Sequence, residues 1–203
     1  MSARGRFSPF LAVSLAVLIV AAGCSRRGGP QRRPPLPAGQ AEAGGPAFQP
    51  PDVAVDEPTA AATRPATVVA LRAASHGDFD RVTLELAGGF PGYRVAWRTT
   101  PPRQCGSGEA MSVPGRAWLE VRLDPAQVHD EQGHVTVEPR SSRPGLSAVQ
   151  AIALACDFEG VASWAIGSPR KLPFRVMPLH DPPRVVVDVA HSAAAAAAAA
   201  PTP

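Results

Sequence analysis

The sequence predicts an all-β fold, an antiparallel β-sandwich or partly open barrel of about eight short strands flanked by disordered segments. Three observations predict it. Apolar and polar residues alternate with period two in several runs between Thr67 and His191, turns rich in Gly and Pro separate these runs, and no long amphipathic helical pattern interrupts them. Such alternation is typical of strands that bury one face.

Four runs show the alternation directly: DRVTLELAG from Asp80, GYRVAWR from Gly92, RAWLEVRL from Arg116 and PRVVVDVA from Pro183. Four further strands are predicted at residues 68–72, 149–157, 161–166 and 174–179. The segments between strands, such as GGFPG, SSRPG and HDPP, carry turn residues. Residues 67–191 therefore form the one predicted β domain.

The first 23 residues are typical of a secretory signal peptide. Arg4 and Arg6 supply its positive start, and the apolar stretch from Phe10 to Ala22 follows. A transmembrane span needs about 20 apolar residues. A permanent transmembrane anchor is therefore the weaker interpretation.

The end of the signal, Ala21-Ala22-Gly23-Cys24, resembles the lipobox of bacterial lipoproteins. The resemblance implies that Cys24 is lipidated and becomes the mature N-terminus, which makes the membrane a partner. The expected location is then the extracytoplasmic face of the cell envelope. Ala21 departs from the family, which usually has Leu there. The alternative is an ordinary cleaved signal with an incidental cysteine.

The chain has three cysteines. If Cys24 carries lipid, Cys105 and Cys156 remain as a pair in an oxidising compartment. A disulfide between them would close a loop of about 50 residues and contribute roughly 4 kcal/mol in the chain-entropy model. The alternative is two free, buried thiols.

The segments on either side of the domain are predicted to be disordered. Residues 24–66 form a linker rich in Pro, Ala and Arg with too little apolar surface to fold. Residues 192–203 form an Ala-rich tail, because an isolated run of eight alanines is too short to nucleate a stable helix. Within 67–191, 13 Arg and Lys balance 13 Asp and Glu. No basic patch therefore indicates a nucleic-acid partner.

The domain as a whole resembles the AMIN-like domain of bacterial lipoproteins and secreted proteins. The phrases that carry the resemblance are, in order, ASHGDFDRVTLELAGGFPGYRV, CGSGEAM, WLEVRLDPAQVHDEQG, CDFEGVASWAIG and FRVMPLHDPPRVVVDVAH. They cover nearly all of residues 67–191. The resemblance implies a non-catalytic, all-β module that binds the cell envelope, by relation to domains that target peptidoglycan. It transfers no binding residues.

Motifs for catalysis and metal binding are weak, and we predict no catalytic residue, metal or cofactor. In HDEQGH, His129 and His134 are five residues apart, whereas a zincin helix needs four. The string SPRK from Ser168 matches S-x-x-K, but it lies between two predicted strands and no K-T-G accompanies it. Asp78 and Asp80 are interpreted as part of a turn into a strand rather than as a Ca²⁺ or acid–base pair.

Residues for binding are better motivated. Trp97 and Trp164 share parity with core residues, whereas Trp118 falls on the polar side of its strand. Four arginines also fall on polar faces: Arg98, Arg122, Arg175 and Arg184. If their strands share a sheet, an aromatic and Arg-rich surface suited to an anionic polymer results. The alternative is a solvated sheet face with Trp118 covered by a loop.

Three functional hypotheses follow. The first is a lipid-anchored, non-enzymatic module that binds peptidoglycan or another cell-wall polymer. The second is a protein-interaction module of an envelope assembly, which docks through an exposed edge strand or an apolar patch. The third, a hydrolytic enzyme, would require a deep pocket with converging His and carboxylate side chains.

Overall fold

The computed structural model describes residues 45–58 and 64–198. Its strands are β1 (Val55–Glu57), β2 (Ala66–His76), β3 (Phe79–Ala87), β4 (Gly92–Arg98), β5 (Ala117–Asp124), β6 (Ala126–Gln127), β7 (Ser141–Ser142), β8 (Ala151–Phe158), β9 (Val161–Ser168), β10 (Phe174–His180) and β11 (Pro183–Ala190). A short helix, α1 (Ala193–Ala198), follows them. Eight of these strands have seven residues or more, and they correspond to the eight predicted from the sequence.

The strands form two sheets. The six-stranded sheet has the order β1-β4-β5-β9-β8-β7, and the five-stranded sheet has the order β10-β11-β3-β2-β6. All pairs are antiparallel except β2 with β6. The predicted all-β sandwich is therefore confirmed.

One hydrophobic core lies between the sheets and takes side chains from both. On β5, the odd-numbered residues from Ala117 to Leu123 are buried and the even-numbered residues between them are half-buried. Strand β3 faces the same core with Val82, Leu84 and Leu86. Burial of apolar side chains contributes about 25 cal/mol per Å². The period-two pattern thus records which face of each strand this core stabilises.

Asp80 is a fully buried carboxylate that joins three segments of the sandwich. Its Oδ2 accepts hydrogen bonds from the backbone N–H groups of Ala148 (2.6 Å) and Val149 (3.0 Å), and its Oδ1 lies 2.8 Å from Nε2 of His191. Burial raises the pKa of Asp80, but these hydrogen bonds outweigh burial and hold the pKa below its ordinary value. The side chain therefore has a structural role that links β3 to the segment before β8 and to the end of β11.

The predicted linker is wrong for residues 45–58, which we call the N-terminal strap. Gln49 exchanges two backbone hydrogen bonds with Phe174 of β10, and β1 pairs with β4. The strap thus lies along the outer strands of both sheets. These contacts come from main-chain groups on strand edges, so the low apolar content of the segment did not reveal them.

The predicted disordered tail also differs from the structure at residues 193–198, which form α1. The Ser192 hydroxyl accepts the N–H of Ala195 at 3.0 Å and caps the helix, and Ala196 is buried. Packing and capping replace the length that an isolated alanine helix needs. Among the described residues no helix is long and apolar enough to cross a bilayer. The predicted signal peptide, Cys24 and the remaining parts of the linker and tail lie outside the described residues.

Candidate functional site

The outer face of the six-stranded sheet carries a row of polar and aromatic side chains on β4 and β5. Cross-strand pairing places Arg98 opposite Trp118 and Arg94 opposite Arg122. Glu120 lies between Trp118 and Arg122 on the same face of β5. Because side chains alternate across a strand, this row is the complement of the apolar residues that fill the core.

Beside Trp118 and Glu120, the next two strands present small side chains on that outer face. On β9 these are Ser163, Ala165 and Gly167, and on β8 they include Ala151 and Ala153. The β4–β5 loop (residues 99–116) lies directly on them, with Val113 and Met111 packed against the alanines. A side chain at Gly167 would collide with the carbonyl oxygen of Pro114. The small residues therefore make room for the loop.

A disulfide between Cys105 and Cys156 fastens this loop to β8. The backbone N–H of Cys105 also donates to the carbonyl of Ala155 at 3.1 Å. The register of β8 against β9 shifts between Leu154 and Cys156. The predicted pairing of the two cysteines is thus present in the structure, and it closes one side of a cavity.

This cavity, the Trp118 pocket, has a volume of about 310 Å³. Its lining residues come from β4, the β4–β5 loop, β5, β8 and β9: Arg98, Thr100, Pro101, Pro102, Arg103, Cys105, Trp118, Glu120, Arg122, Ala155, Cys156, Ser163, Trp164 and Ala165. Three of them are arginines and one is a glutamate, so the lining has two positive charges in excess. Such a cavity favours a small ligand that carries negative charge.

Each arginine of the pocket already has a partner. Arg98 lies 2.7 Å from Oε2 of Glu120, and Arg122 donates to Asp124 at 2.9 Å. Arg103 donates to the carbonyl of Gly108 at 2.8 Å. These pairs are solvent-exposed, so they fix side-chain orientation more than they stabilise the fold.

The indole of Trp118 is half-buried, and its Nε1 donates to the carbonyl of Val113 at 3.0 Å. The loop thus covers one side of Trp118, and the ring still lines the pocket. Trp97 and Trp164 are buried in the core, as predicted from their parity. Of the three tryptophans, Trp118 is therefore the one whose side chain is not buried.

Arg175 and Arg184 lie on the five-stranded sheet, away from Trp118. The side chain of Arg175 is 8% exposed; it bonds Asp188 at 2.8 Å and lies over the rings of Phe48 and Phe79. Arg184 donates to the carbonyl of Pro182 at 3.3 Å. The five predicted residues therefore do not form one surface, because parity assigns a face of a strand but not the sheet that contains it.

Four polar residues that line the pocket were not predicted as site residues: Thr100, Arg103, Glu120 and Ser163. Glu120 shares the outward parity of Trp118 and Arg122, so the same counting could have included it. Ser163 is 5% exposed and lies opposite Arg122 on β9, a relationship that only strand pairing reveals.

The weak sequence motifs have structural roles. In HDEQGH, His129 pairs with Asp157 and His134 with Asp130, so the two histidines face different carboxylates. Asp130 also accepts the backbone N–H groups of Gln132 and His134, which closes a turn. Across residues 45–58 and 64–198, no three His, Cys, Asp or Glu side chains are placed to share a metal ion.

A second cavity of about 350 Å³ lies at the other end of β4 and β5. Arg122 lines both cavities, and the ion pair of Arg94 with Asp56 of the strap forms part of the second. Tyr93 also lines it, and burial, reinforced by the charge of Glu57, raises the pKa of its hydroxyl. The two cavities therefore share Arg122 as a lining residue.

The family model of the AMIN-like domain matches residues 66–191, more than half of the chain. The chain belongs to the AMIN-like family. The matched segment includes all of the Trp118 pocket and leaves out the strap. Neither the curated proteins nor the solved structures gave a match. AMIN-like domains are binding modules, and membership indicates a peptidoglycan-associated module of the cell envelope.

Proposed function

We propose that this AMIN-like protein is a lipid-anchored, non-catalytic module that binds peptidoglycan through the outer face of its six-stranded sheet. The binding surface consists of Arg98, Trp118 and Arg122 around the Trp118 pocket. The observation that carries the proposal is the position of these three residues on adjacent strands beside one cavity.

The chemistry of the surface fits a cell-wall polymer. An aromatic face packs against sugar rings, and arginine forks bind carboxylates of the peptide part. The excess of positive charge in the pocket favours an anionic polymer such as peptidoglycan. The Trp118 pocket and the second cavity, which share Arg122, lie along β5 and give a polymer two contact points.

The anchor is the lipid on Cys24. Lipobox cysteines carry a diacylglycerol, and more than one acyl chain is needed for stable attachment to a membrane. The linker that follows would let the domain reach the cell wall from the membrane surface. Mass spectrometry of the N-terminal peptide tests this part, because an unmodified Cys24 would contradict it.

Co-sedimentation with purified, protein-free sacculi tests the binding part. The full chain in mild detergent is expected to pellet with sacculi, and Trp118→Ala or Arg98→Ala to weaken pelleting about tenfold. Arg184→Ala is the matched control, because Arg184 is a half-buried arginine on the other sheet. A full chain that stays in the supernatant at low and high salt would contradict the proposal.

A second candidate is docking of an envelope protein on β2. Beyond Thr67, β2 pairs with β3 alone among the described strands, and Val69 at its bulge is 41% exposed. Arg72 and the bulge itself limit strand addition there. Cross-linking at Val69 in cells, without sacculus binding by the full chain, would favour this function over the first.

A further inference from the structure

We propose that the Trp118 pocket recognises a zwitterionic amino-acid end, a carboxylate and an ammonium group on one carbon. This inference rests on the proposed function and deepens it. It assigns recognition to the free amino-acid end of a cell-wall peptide rather than to a sugar.

The size of the pocket limits its occupant. Its volume of about 310 Å³ lies at the lower end of the range for small-molecule sites. Its floor is formed by Ser163 and Ala165, which lie opposite Arg122 and Glu120 on the neighbouring strand. A floor of small side chains under one aromatic ring fits a single compact group, and the rest of a polymer would run outside.

The order of charges along β5 separates a zwitterion from a simple anion. Trp118, Glu120 and Arg122 occupy successive outward positions, and such positions are about 6.8 Å apart along a strand. Glu120 thus stands inside an arginine-rich pocket. An ionised carboxylate only accepts hydrogen bonds, so Glu120 repels an anion and attracts an ammonium group.

The hydrogen bonding of Glu120 leaves one oxygen for a ligand. Nε and one terminal nitrogen of Arg98 both lie 2.7 Å from Oε2 of Glu120. Within the described part of the chain, no hydrogen bond reaches Oε1. If the ammonium group of a ligand binds Oε1, the carboxylate of the same ligand comes within reach of Arg122. One terminal nitrogen of Arg122 donates to Asp124, and the other nitrogens can donate to the ligand.

Arg103 completes the positive side of the pocket. It comes from the β4–β5 loop and donates one terminal nitrogen to Gly108. The disulfide fastens this loop to β8 and so limits how far Arg103 can move from the strands before a ligand binds. Such preorganisation favours discrimination between ligands of similar size.

The test uses NMR of the full chain in mild detergent. The signal is the indole N–H of Trp118, which Trp118→Phe identifies among the three tryptophans. Alanine, N-acetylalanine, alaninamide and inorganic phosphate are titrated separately. The expected result is a saturable shift with alanine and binding at least about tenfold weaker for the three probes that lack one charge or the amino-acid form.

Glu120→Gln is the decisive variant, because it keeps the shape of the side chain and removes its charge. We expect it to weaken alanine binding about tenfold and to strengthen binding of N-acetylalanine. Arg122→Ala should weaken the binding of alanine and of N-acetylalanine. Arg184→Ala should change the binding of neither probe. Thermal unfolding of each variant is the control that checks whether the fold is retained.

The outcomes are separable from those of the proposed function. Equal binding of N-acetylalanine, phosphate and alanine would overturn the zwitterion assignment and leave a general anion pocket. Absence of any amino-acid shift, with sacculus binding intact, would overturn this inference alone. A full chain that binds alanine but no sacculi would overturn the proposed function and the assignment to a cell-wall peptide, and would leave the recognition of a zwitterion by the pocket.

Discussion

The indole nitrogen of Trp118 donates a hydrogen bond to the backbone carbonyl of Val113, and this bond joins a ligand-facing ring to the loop above it. The same loop contains Cys105, whose disulfide with Cys156 also lines the pocket. The ring of Trp118, the β4–β5 loop and the disulfide are therefore connected, and a displacement of one should displace the others. Changes at any of them should alter stability, and changes that remove the ring or release the loop should also alter binding.

Trp118→Phe and Trp118→Ala separate the hydrogen bond from the ring. Phe keeps an aromatic face, although a smaller one, and loses the bond to Val113, so we expect a loss of about 1 kcal/mol in the free energy of unfolding and retained sacculus binding. Ala removes the half-buried ring and should cost about 2 kcal/mol together with the binding. Urea unfolding of both variants measures the difference. Equal binding by the two variants would contradict an aromatic contact with the ligand.

Removal of the disulfide should destabilise the domain strongly. Cys105 and Cys156 are 51 residues apart, and closure of a loop of that length is worth about 4 kcal/mol. Cys105→Ser with Cys156→Ser should lower the free energy of unfolding by roughly that amount and weaken sacculus binding, because the pocket loses a wall. Unfolding of the unaltered chain with and without reductant gives the reference. A variant with unchanged binding would show that the loop holds its position without the bond.

Gly167→Ala tests the contact between the loop and the small-residue face. The added methyl group would meet the carbonyl of Pro114, which is backbone and must move. We expect a loss of about 1–3 kcal/mol in the free energy of unfolding, as for other overpacked sites, and a shifted NMR signal of the Trp118 indole N–H. Gly89→Ala is the control, because a side chain there meets nothing within 4 Å. Similar unfolding curves for the two variants would mean that the loop adjusts freely.

Stability should fall with acidification through Asp80. Its pKa is lowered in the folded state, so its contribution is present above the unfolded value of about 3.9 and is lost as the pH falls through the folded value. Asp80→Asn should cost about 3 kcal/mol at neutral pH and flatten the acid limb of the stability curve. Asp78→Asn, two residues away and exposed, should do neither. Chemical unfolding between pH 3 and 7 measures both.

Tyr93 reports on the strap, since it is the single tyrosine of the chain. Burial is the main reason that its pKa is raised, and the charge of Glu57 adds to it. Glu57→Gln should therefore lower the pKa of Tyr93 while leaving it above its ordinary value. Spectrophotometric titration of the phenol measures the shift. An unchanged titration would indicate that the strap does not sit beside Tyr93 in solution.

The face of each strand could be predicted from the sequence, and the neighbours of each strand could not. The alternation of apolar and polar residues predicted that Trp118, Arg98 and Arg122 face outward, because the face of a strand toward water is more polar than the face toward the core. Nothing in that pattern distinguishes Arg175, which pairs with Asp188 on the other sheet. Which sheet a strand joins depends on main-chain hydrogen bonds between residues that are distant in sequence. The alternation of side chains within one strand gives no information about those bonds.

The disulfide could be predicted from the number of cysteines, and the eight long strands from the alternation of apolar and polar residues. The sequence pattern of the strap and of α1 is less informative. Gln49 and β1 join the sheets through backbone groups that every residue possesses, and α1 depends on the Ser192 cap and the packing of Ala196. Composition alone therefore assigned both segments to disorder.

The strap gives the outer edges of β4 and β10 their remaining backbone partners among the described residues. A fragment that starts at residue 66, where the family match starts, would leave both edges bare. Bare edges template pairing between molecules. Such a shortened chain should self-associate on concentration more than one that keeps residues 45–58. A fragment for crystallisation should therefore keep residues 45–58.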